Sequence, residues 1–313
     1  MDDCSTDSTV NIIKHAKKNN QIDVVHFNKK NLGPASSRNI GINLCQDTDY
    51  ITFLDADDQI LSGLSSVIKN KNIYGDLITF KFNYLSNNKV IKNNFYKDDK
   101  VLEVNDINEY LYKYLTKPNK YSLFTTCWAK LYRTKLLVIN KDLYFNEKLS
   151  LCEDTDFVFR FLTKSKSIQY INESIYSHTL GSAKENLNKL TFGTRLEAKH
   201  QISFLTAVKS CKNYFIKNGH TPAEIQKKID HCKGAYTIIY TIRSCLRVNS
   251  LPSFIATYLF WKNLYNRNIL SSEMPNYSFK LAGGSWLLPF LIRNKLYFIA
   301  ILAAYYICKK RYL

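Results

Sequence analysis

Tyr50-Ile51-Thr52-Phe53-Leu54-Asp55-Ala56-Asp57-Asp58 decides how this chain is read. Five mostly apolar residues form a short strand that delivers three carboxylates into a turn. Carboxylates so close together repel one another in water. A fold that retains them often does so for a hard cation, and Mg²⁺ is commonly held by one or two carboxylates plus phosphate oxygens. Taken alone, the same residues also read as a polar turn ending a strand, so the segments around them have to decide.

Working outward, the first 90 residues alternate helix and strand patterns. Ser5 or Asp7 caps a helix running to Lys18, with Val10, Ile12, Ile13 and Ala16 as its apolar positions. Asp23–Phe27 reads as a strand. Gly33-Pro34-Ala35-Ser36 opens a helix through Leu44, Leu61–Lys69 forms another, and Asp76–Tyr84 is a strand. Such alternation predicts an α/β fold with a mostly parallel sheet covered by helices. Asn105–Leu115 is helical, Thr125–Tyr132 strand-like, Glu153–Thr163 an amphipathic helix, and Ser167–Ser177 carries two short strands. Thr194–Lys217, Pro222–Val248 and Pro252–Tyr265 show helical spacing, and Trp286–Tyr312 ends the chain with aromatic and aliphatic residues flanked by Arg293, Lys295, Lys309, Lys310 and Arg311. These shifts place a boundary near 180–195, giving an α/β domain over 1–185 and a helical region over 186–313.

The 313 residues are 45% hydrophobic and 14% aromatic, a globular composition. Eight scattered cysteines without C-x-x-C spacing predict reduced thiols of a cytosolic protein, and the six histidines show no metal-binding spacing. No signal peptide is apparent, and no run of about 20 apolar residues predicts a spanning helix. The net charge is +18. From Lys199 onward there are 17 Lys/Arg and 3 Asp/Glu, so +14 falls in the last third. That excess calls for an anionic partner, either nucleic acid or a membrane surface. No zinc finger, RNP motif or helix-turn-helix signature supports nucleic acid, and the charge is interleaved with large aliphatic residues. A basic, aromatic-rich end suits the inner face of the cell membrane, so a cytoplasmic, peripherally membrane-bound protein is expected.

Five segments now stand in order: Asp2-Asp3-Cys4-Ser5-Thr6-Asp7, Asn31-Leu32-Gly33-Pro34-Ala35-Ser36-Ser37-Arg38-Asn39, Phe53-Leu54-Asp55-Ala56-Asp57-Asp58, Trp128-Ala129-Lys130-Leu131-Tyr132-Arg133 and Glu153-Asp154-Thr155-Asp156-Phe157. Over residues 1–180 their order and spacing resemble family 2 glycosyltransferases of the GT-A fold, of the kind that build bacterial capsule, lipooligosaccharide or wall glycans. The resemblance implies transfer of a sugar, with inversion, from a nucleotide-diphosphate sugar such as a UDP-sugar to a glycan or lipid-linked acceptor. It implies a divalent cation, Mn²⁺ or Mg²⁺, to offset the charge of the leaving diphosphate.

The resemblance also distributes roles. Asp57 becomes the direct metal ligand, and Asp55 holds ribose or metal-bound water. Asp58 either orients the loop or caps the next helix. Asp3 accepts a hydrogen bond from the nucleobase, or is only an acid at a helix start. Arg38 pairs with phosphate or a carboxylate, or lies on a solvated helix face. Asp154 is the general base and Glu153 its orienter, although both also suit a helix dipole. Trp128 lies under the sugar or acceptor, or in the core. His178 contacts metal or phosphate, or is a surface histidine.

One departure stands out. Members of this family carry a further strand and helix before the Asp-Asp-x-Ser motif, whereas this sequence begins at Met1. Loss of a central strand would expose sheet edges and part of the nucleotide pocket. The sequence therefore predicts an N-terminally truncated GT-A domain with weak or absent activity. A non-catalytic remnant, or a basic membrane- or nucleic-acid-binding protein, is the competing expectation.

Overall fold

The computed structural model describes residues 1–19, 24–86, 89–92, 95–118, 120–180, 196–266, 277–282 and 285–312. In chain order its elements begin with α1 (Thr9–Lys18), α2 (Pro34–Leu44), β1 (Tyr50–Ile51), β2 (Gln59–Ile60), α3 (Leu64–Asn70) and β3 (Leu77–Ser86). There follow β4 (Lys89–Lys92), β5 (Lys100–Leu102), α4 (Val104–Thr116), β6 (Lys130–Arg133), α5 (Thr134–Ile139), α6 (Glu153–Lys164) and β7 (Ile168–Leu180). The chain closes with α7 (Ala198–Lys217), α8 (Pro222–Ser244), α9 (Leu251–Asn266), α10 (Phe279–Ala282), α11 (Leu287–Arg293) and α12 (Tyr297–Tyr312).

The α/β expectation holds, but the sheet is mixed rather than mostly parallel. Its strand order is β1-β6-β3-β7-β2, with β4 beside β3 and β5 beside β7. Among the described ladders only β3–β7 is parallel, and it carries an irregularity around Lys81. The remaining pairs, including β1–β6 and β2–β7, are antiparallel. A second parallel contact survives as the single bridge Asp2↔Phe27. The reason lies in β7, which the sequence splits in two. It runs unbroken for 13 residues, long enough to pair with β3, β2 and β5 at once. Tyr50–Leu54 is shorter than expected as a strand, because only Tyr50 and Ile51 find partners on β6. Thr52 to Asp58 are thereby left out of the ladders as a loop.

Likewise only the end of the Thr125–Tyr132 stretch is strand. Ala129 sits at φ 54°, a left-handed backbone that interrupts extended pairing just before β6. The Trp286–Tyr312 segment is two helices, with the break at Lys295, also left-handed at φ 59°. Asp7 accepts the Thr9 backbone N–H at 2.9 Å, close to the cap expected for α1. Residue 23, the expected start of a strand, and the boundary near 185 lie outside the described residues.

The apolar core falls into three clusters. One, on Ile78, Phe80, Phe82, Ile171 and Ile175, lies on one side of the sheet with Trp128. The largest gathers Ile51, Phe53, Tyr132, Phe157 and Phe161 together with α4, and continues into Phe204, Phe215, Ile225 and Cys232 of α7 and α8. The third holds the far half of α8, from Tyr240, with α9, α11 and α12. Thus α7 and the start of α8 complete the α/β core, and the C-terminal helices build a second core further along. All eight cysteines are free thiols, as expected.

Candidate active site

The strand–loop junction after Phe53 is fixed from beneath. Phe53 is buried and packs edge-on against Phe145 and Phe157, so the chain beyond it must surface. The turn itself is closed by the Asp58 N–H donating to the Asp55 carbonyl at 3.0 Å.

Its three carboxylates then separate in role. Asp55 accepts from Arg38 Nη2 at 2.8 Å, while Nη1 of the same guanidinium donates to Glu153 Oε1 at 2.8 Å. Arg38 thus cross-links the turn after β1 to the start of α6, and its charge lies over the Phe145 ring. Burial works against that charge, but Cys127, Asp55, Glu153 and Asp154 around it hold the guanidinium pKa above its ordinary value. Asn39 anchors the same region, donating to the Phe145 carbonyl and Glu147 and accepting from the Phe145 N–H.

Asp57 is exposed and lies at the tip of the turn. Asp58 is its opposite: the carboxylate is fully enclosed. It accepts from Tyr176 Oη at 2.6 Å, the Thr179 N–H at 2.8 Å and His178 Nδ1 at 2.9 Å. Burial raises its pKa, and these bonds from His178, Tyr176 and Thr179 outweigh that, so the group is held below the usual carboxylate range. Of the two readings offered by the sequence, the orienting one applies: Asp58 ties the turn to β7. An ionised carboxylate can only accept, so Nδ1 of His178 carries the hydrogen, and a neutral ring then offers Nε2 as an electron-pair donor.

Asp154 sits in the first turn of α6, which starts from Cys152 in a left-handed conformation, φ 60°. Three acids, Glu153, Asp154 and Asp156, fall in that turn, and each has its own partner set. Asp156 is structural: it pairs with Arg160 and accepts from Ser210 Oγ of α7 at 2.6 Å. Asp154 accepts the Thr155 N–H at 2.7 Å. Its carboxyl is pushed up to about 7, chiefly by burial and then by the neighbouring Glu153 charge, with Arg38 pulling the other way. A carboxyl that titrates near neutrality is suited to exchanging protons.

Asp3 is more occupied than its expected role requires. Its Oδ1 accepts from Asn28 Nδ2 and the Leu32 N–H, both at 2.8 Å, and Oδ2 accepts the Gly33 N–H at 2.7 Å. Slight burial raises its pKa, and these donors together lower it below the ordinary value. Gly33, at φ 86°, makes the turn that lets Pro34 open α2. Asp3 therefore clamps the loop that starts α2.

A cavity of about 490 Å³ brings Asp3, Arg38 and Asp55 together with Met1, Pro34, Ser37 and Ile51 to Ala56. Its size is that of a small-ligand site. Asp57, Trp128, Glu153, Asp154 and His178 are not part of its lining; Arg38 joins the cavity to Glu153, and Asp58 joins the turn to His178. Trp128 takes the core alternative. It is 4% exposed and stacks on Tyr176 at 4.8 Å and on His178 at 5.0 Å, so it has no open face for a sugar.

Two residues of this region went unnoticed in the sequence. Tyr176 holds Asp58 and accepts the Asp55 N–H at 3.3 Å, and nothing in its local sequence signals that. Lys130 is fully buried, donating to the Trp128 carbonyl and Thr126 Oγ1, and burial pulls its ammonium down to about 7. A lysine inside the apolar stretch Cys127–Tyr132 was the available signal.

No group of three or more His, Cys, Asp or Glu able to hold a metal is found among the described residues. The chemistry of the donors still fits a cation that arrives with a diphosphate, which needs only one or two carboxylates and takes its other oxygens from phosphate and water. Asp57, exposed at the tip of the turn, is a carboxylate of that kind; a preformed protein cage is not what this turn offers.

Residues 1–130 match the family model described as Glycosyl transferase family 2. The poly(ribitol-phosphate) beta-N-acetylglucosaminyltransferase TarS of Staphylococcus aureus is 25% identical over 192 residues, covering 60% of this chain and 30% of that protein. An uncharacterized glycosyltransferase of Haemophilus influenzae is 37% identical over 84 residues, 27% of this chain and 33% of its own length. The chain therefore spans about a third of the curated relatives it matches. Among solved structures, S. aureus TarS 1-349 in complex with UDP-GlcNAc superposes with a TM-score of 0.58 at 17% identity, covering 99% of this chain and 80% of that one. The complex with UDP gives a TM-score of 0.56 at 18% identity over the same shares. At these identities the likeness establishes the GT-A fold.

Proposed function

We propose that this chain, whose first 130 residues match the family 2 glycosyltransferase model, transfers a sugar from a UDP-sugar to an acceptor hydroxyl of a cell-surface glycan, with inversion at the anomeric carbon. The observation that carries the reading is the continuous link Asp55–Arg38–Glu153, which ties the nucleotide-sized cavity to the start of α6, where Asp154 lies.

The cavity takes the nucleotide. Asp3 lies at its wall with Oδ1 already accepting twice, which leaves the second lone pair of Oδ2 for a base N–H, and Asp55 is placed to meet ribose. Asp57 and His178 would hold the divalent cation, Mn²⁺ or Mg²⁺, which neutralises charge on the departing diphosphate. Arg38, already bound to two carboxylates, keeps the turn and the base in fixed relation. Asp154, once ionised, removes the acceptor proton as the new bond forms, and Glu153 holds Arg38 against it. UDP-GlcNAc is the first donor to test, because one of the similar TarS structures is a complex with it. A lipid-linked acceptor would place the enzyme at the inner face of the cell membrane.

The test is UDP release from UDP-GlcNAc and other UDP-sugars with Mn²⁺, alongside calorimetric titration with UDP. Asp154→Asn should leave UDP binding intact and lower transfer by about 10²- to 10⁴-fold, the usual contribution of a positioned base. Equal turnover in Asp154→Asn and the parent would refute the role given to Asp154. Failure of every UDP-sugar to bind would refute the function.

A further inference from the structure

Helices α9 and α12 expose what a water-soluble surface normally hides. On α9, Leu251, Ile255 and Leu259 recur every four residues and are 72%, 45% and 48% exposed. On α12, Phe298, Leu302 and Tyr306 recur at the same interval and are 50%, 45% and 71% exposed. The opposite sides of both helices are already spent on the C-terminal core, through Phe254, Trp261 and Leu264 on α9 and Ala300, Ile301, Ala304 and Cys308 on α12. These stripes are therefore surplus to folding.

They are also contiguous. Phe298 lies 5.7 Å from Phe254 and 5.5 Å from Tyr258, edge-on in both cases, so the α12 stripe begins against α9. Cations frame the patch: Lys262 sits over Tyr258 and Lys309 over Tyr305. That geometry lays an aliphatic stem along apolar surface with the ammonium at its rim. Residues 251–313 contain 8 Lys/Arg against one acid. Meanwhile no helix among the described residues is long and apolar enough to cross a membrane.

We propose that the α9–α12 face docks on an anionic lipid bilayer, with Ile255, Leu259, Phe298 and Leu302 entering the headgroup–acyl boundary and the surrounding lysines meeting lipid phosphate. Apolar stripes rimmed by cations are the composition of an interfacial surface. A second copy of the chain would cover the apolar stripes but would bring the same positive charge against itself. Nucleic acid would satisfy the charge and leave the stripes in water. The anionic bilayer satisfies both. The proposal rests on the transferase reading only for its purpose, since it would hold the catalytic domain next to lipid-linked acceptors.

The experiment is co-sedimentation of the full chain with vesicles of phosphatidylcholine alone and of phosphatidylcholine mixed with phosphatidylglycerol, across a salt series. Binding is expected only with phosphatidylglycerol, weakening as salt rises. The double variant Phe298→Gln/Leu302→Gln should lose at least tenfold in vesicle affinity. Both positions are half-exposed, so its thermal melt should match the parent. UDP release with a soluble acceptor should be unchanged in the variant, which separates this idea from the function itself. It is overturned by no vesicle binding, by binding indifferent to the double variant, or by a salt-stable dimer that the double variant dissolves. Oligonucleotide binding stronger than vesicle binding would do the same.

Discussion

Arg38 carries the most consequence of any single residue. It is 16% exposed at the side chain and satisfies Asp55 and Glu153 at once. Removing it leaves two carboxylates close to Asp154 with no cation between them. Breaking a buried pair this way costs about 3–5 kcal/mol. Arg38→Met should therefore lower the melting temperature well beyond an ordinary surface change, measurable by calorimetry, and abolish UDP binding. A melt within a degree or so of the parent would show that the cross-link is ornamental. Asp154 supplies a signed pH effect. Its folded pKa, about 7, exceeds the unfolded carboxyl value, so the stability it confers is complete below about 4 and is lost as pH rises through 7. Asp58 has the reverse sign, because its pKa is lowered on folding, and its contribution disappears as pH falls into the acid range. In the proposed role of Asp154 as base, turnover follows its ionised form, so log kcat should fall with unit slope below about pH 7. A profile flat from pH 8 to pH 5 would remove Asp154 from the mechanism.

At the scale of elements, α8 offers two clean tests. Its N-terminus is a capping box, in which Thr221 Oγ1 accepts the Glu224 N–H and Glu224 accepts the Thr221 N–H at 2.7 Å. Thr221→Ala should cost about 1 kcal/mol, read from denaturant unfolding. Further along, Gly234 lets α8 lie directly against Tyr277. A Cβ at Gly234 would fall 2.7 Å from Tyr277 Cβ, close to the backbone, where the neighbour cannot simply swing away. Tyr277 also stacks on His231, whose ring accepts the Ser278 N–H, so the whole 277–282 segment is seated there. Gly234→Ala should destabilise by about 1–3 kcal/mol, the usual cost of overpacking, and should raise proteolytic cleavage near Tyr277 before it affects UDP binding. The elements also show where sequence patterns speak and where they are silent. α6 is legible from its local apolar spacing, and α8 from its spacing and its capping box. β7 was not, since its length is justified only by partners far away in sequence, and Ala129 and Cys152 adopt left-handed backbones that no alanine or cysteine announces.

The same contrast governs the whole molecule. Asp3, Arg38, Asp55, Asp57 and Asp154 stand out as candidates because short motifs in a recognisable order carry them, whereas His178 lies outside those motifs. What each side chain is bonded to depends on packing, and that is why Trp128 proved to be core and Asp58 an anchor. Composition suggested a division at 185, where charge and helicity change, yet burial puts the first part of the helical region inside the α/β core. Phe204, Val208, Tyr214, Phe215, Ile225 and Ile229 are each no more than 2% exposed within the cluster that also holds Phe157 and Phe161. Fully burying such side chains stabilises by roughly 1.5–3 kcal/mol apiece, so together they match the entire net stability of an ordinary domain, about 5–15 kcal/mol. A fragment ending at Leu180 should therefore be insoluble or molten, with no cooperative melt. A fragment ending at Val248 retains α7 and α8 and gives up only the second cluster, which begins at Tyr240. It should melt cooperatively, bind UDP and lose vesicle binding. Cooperative unfolding of the shorter fragment would move the boundary back to the compositional break, and would mean that α7 and α8 cover the core without supporting it.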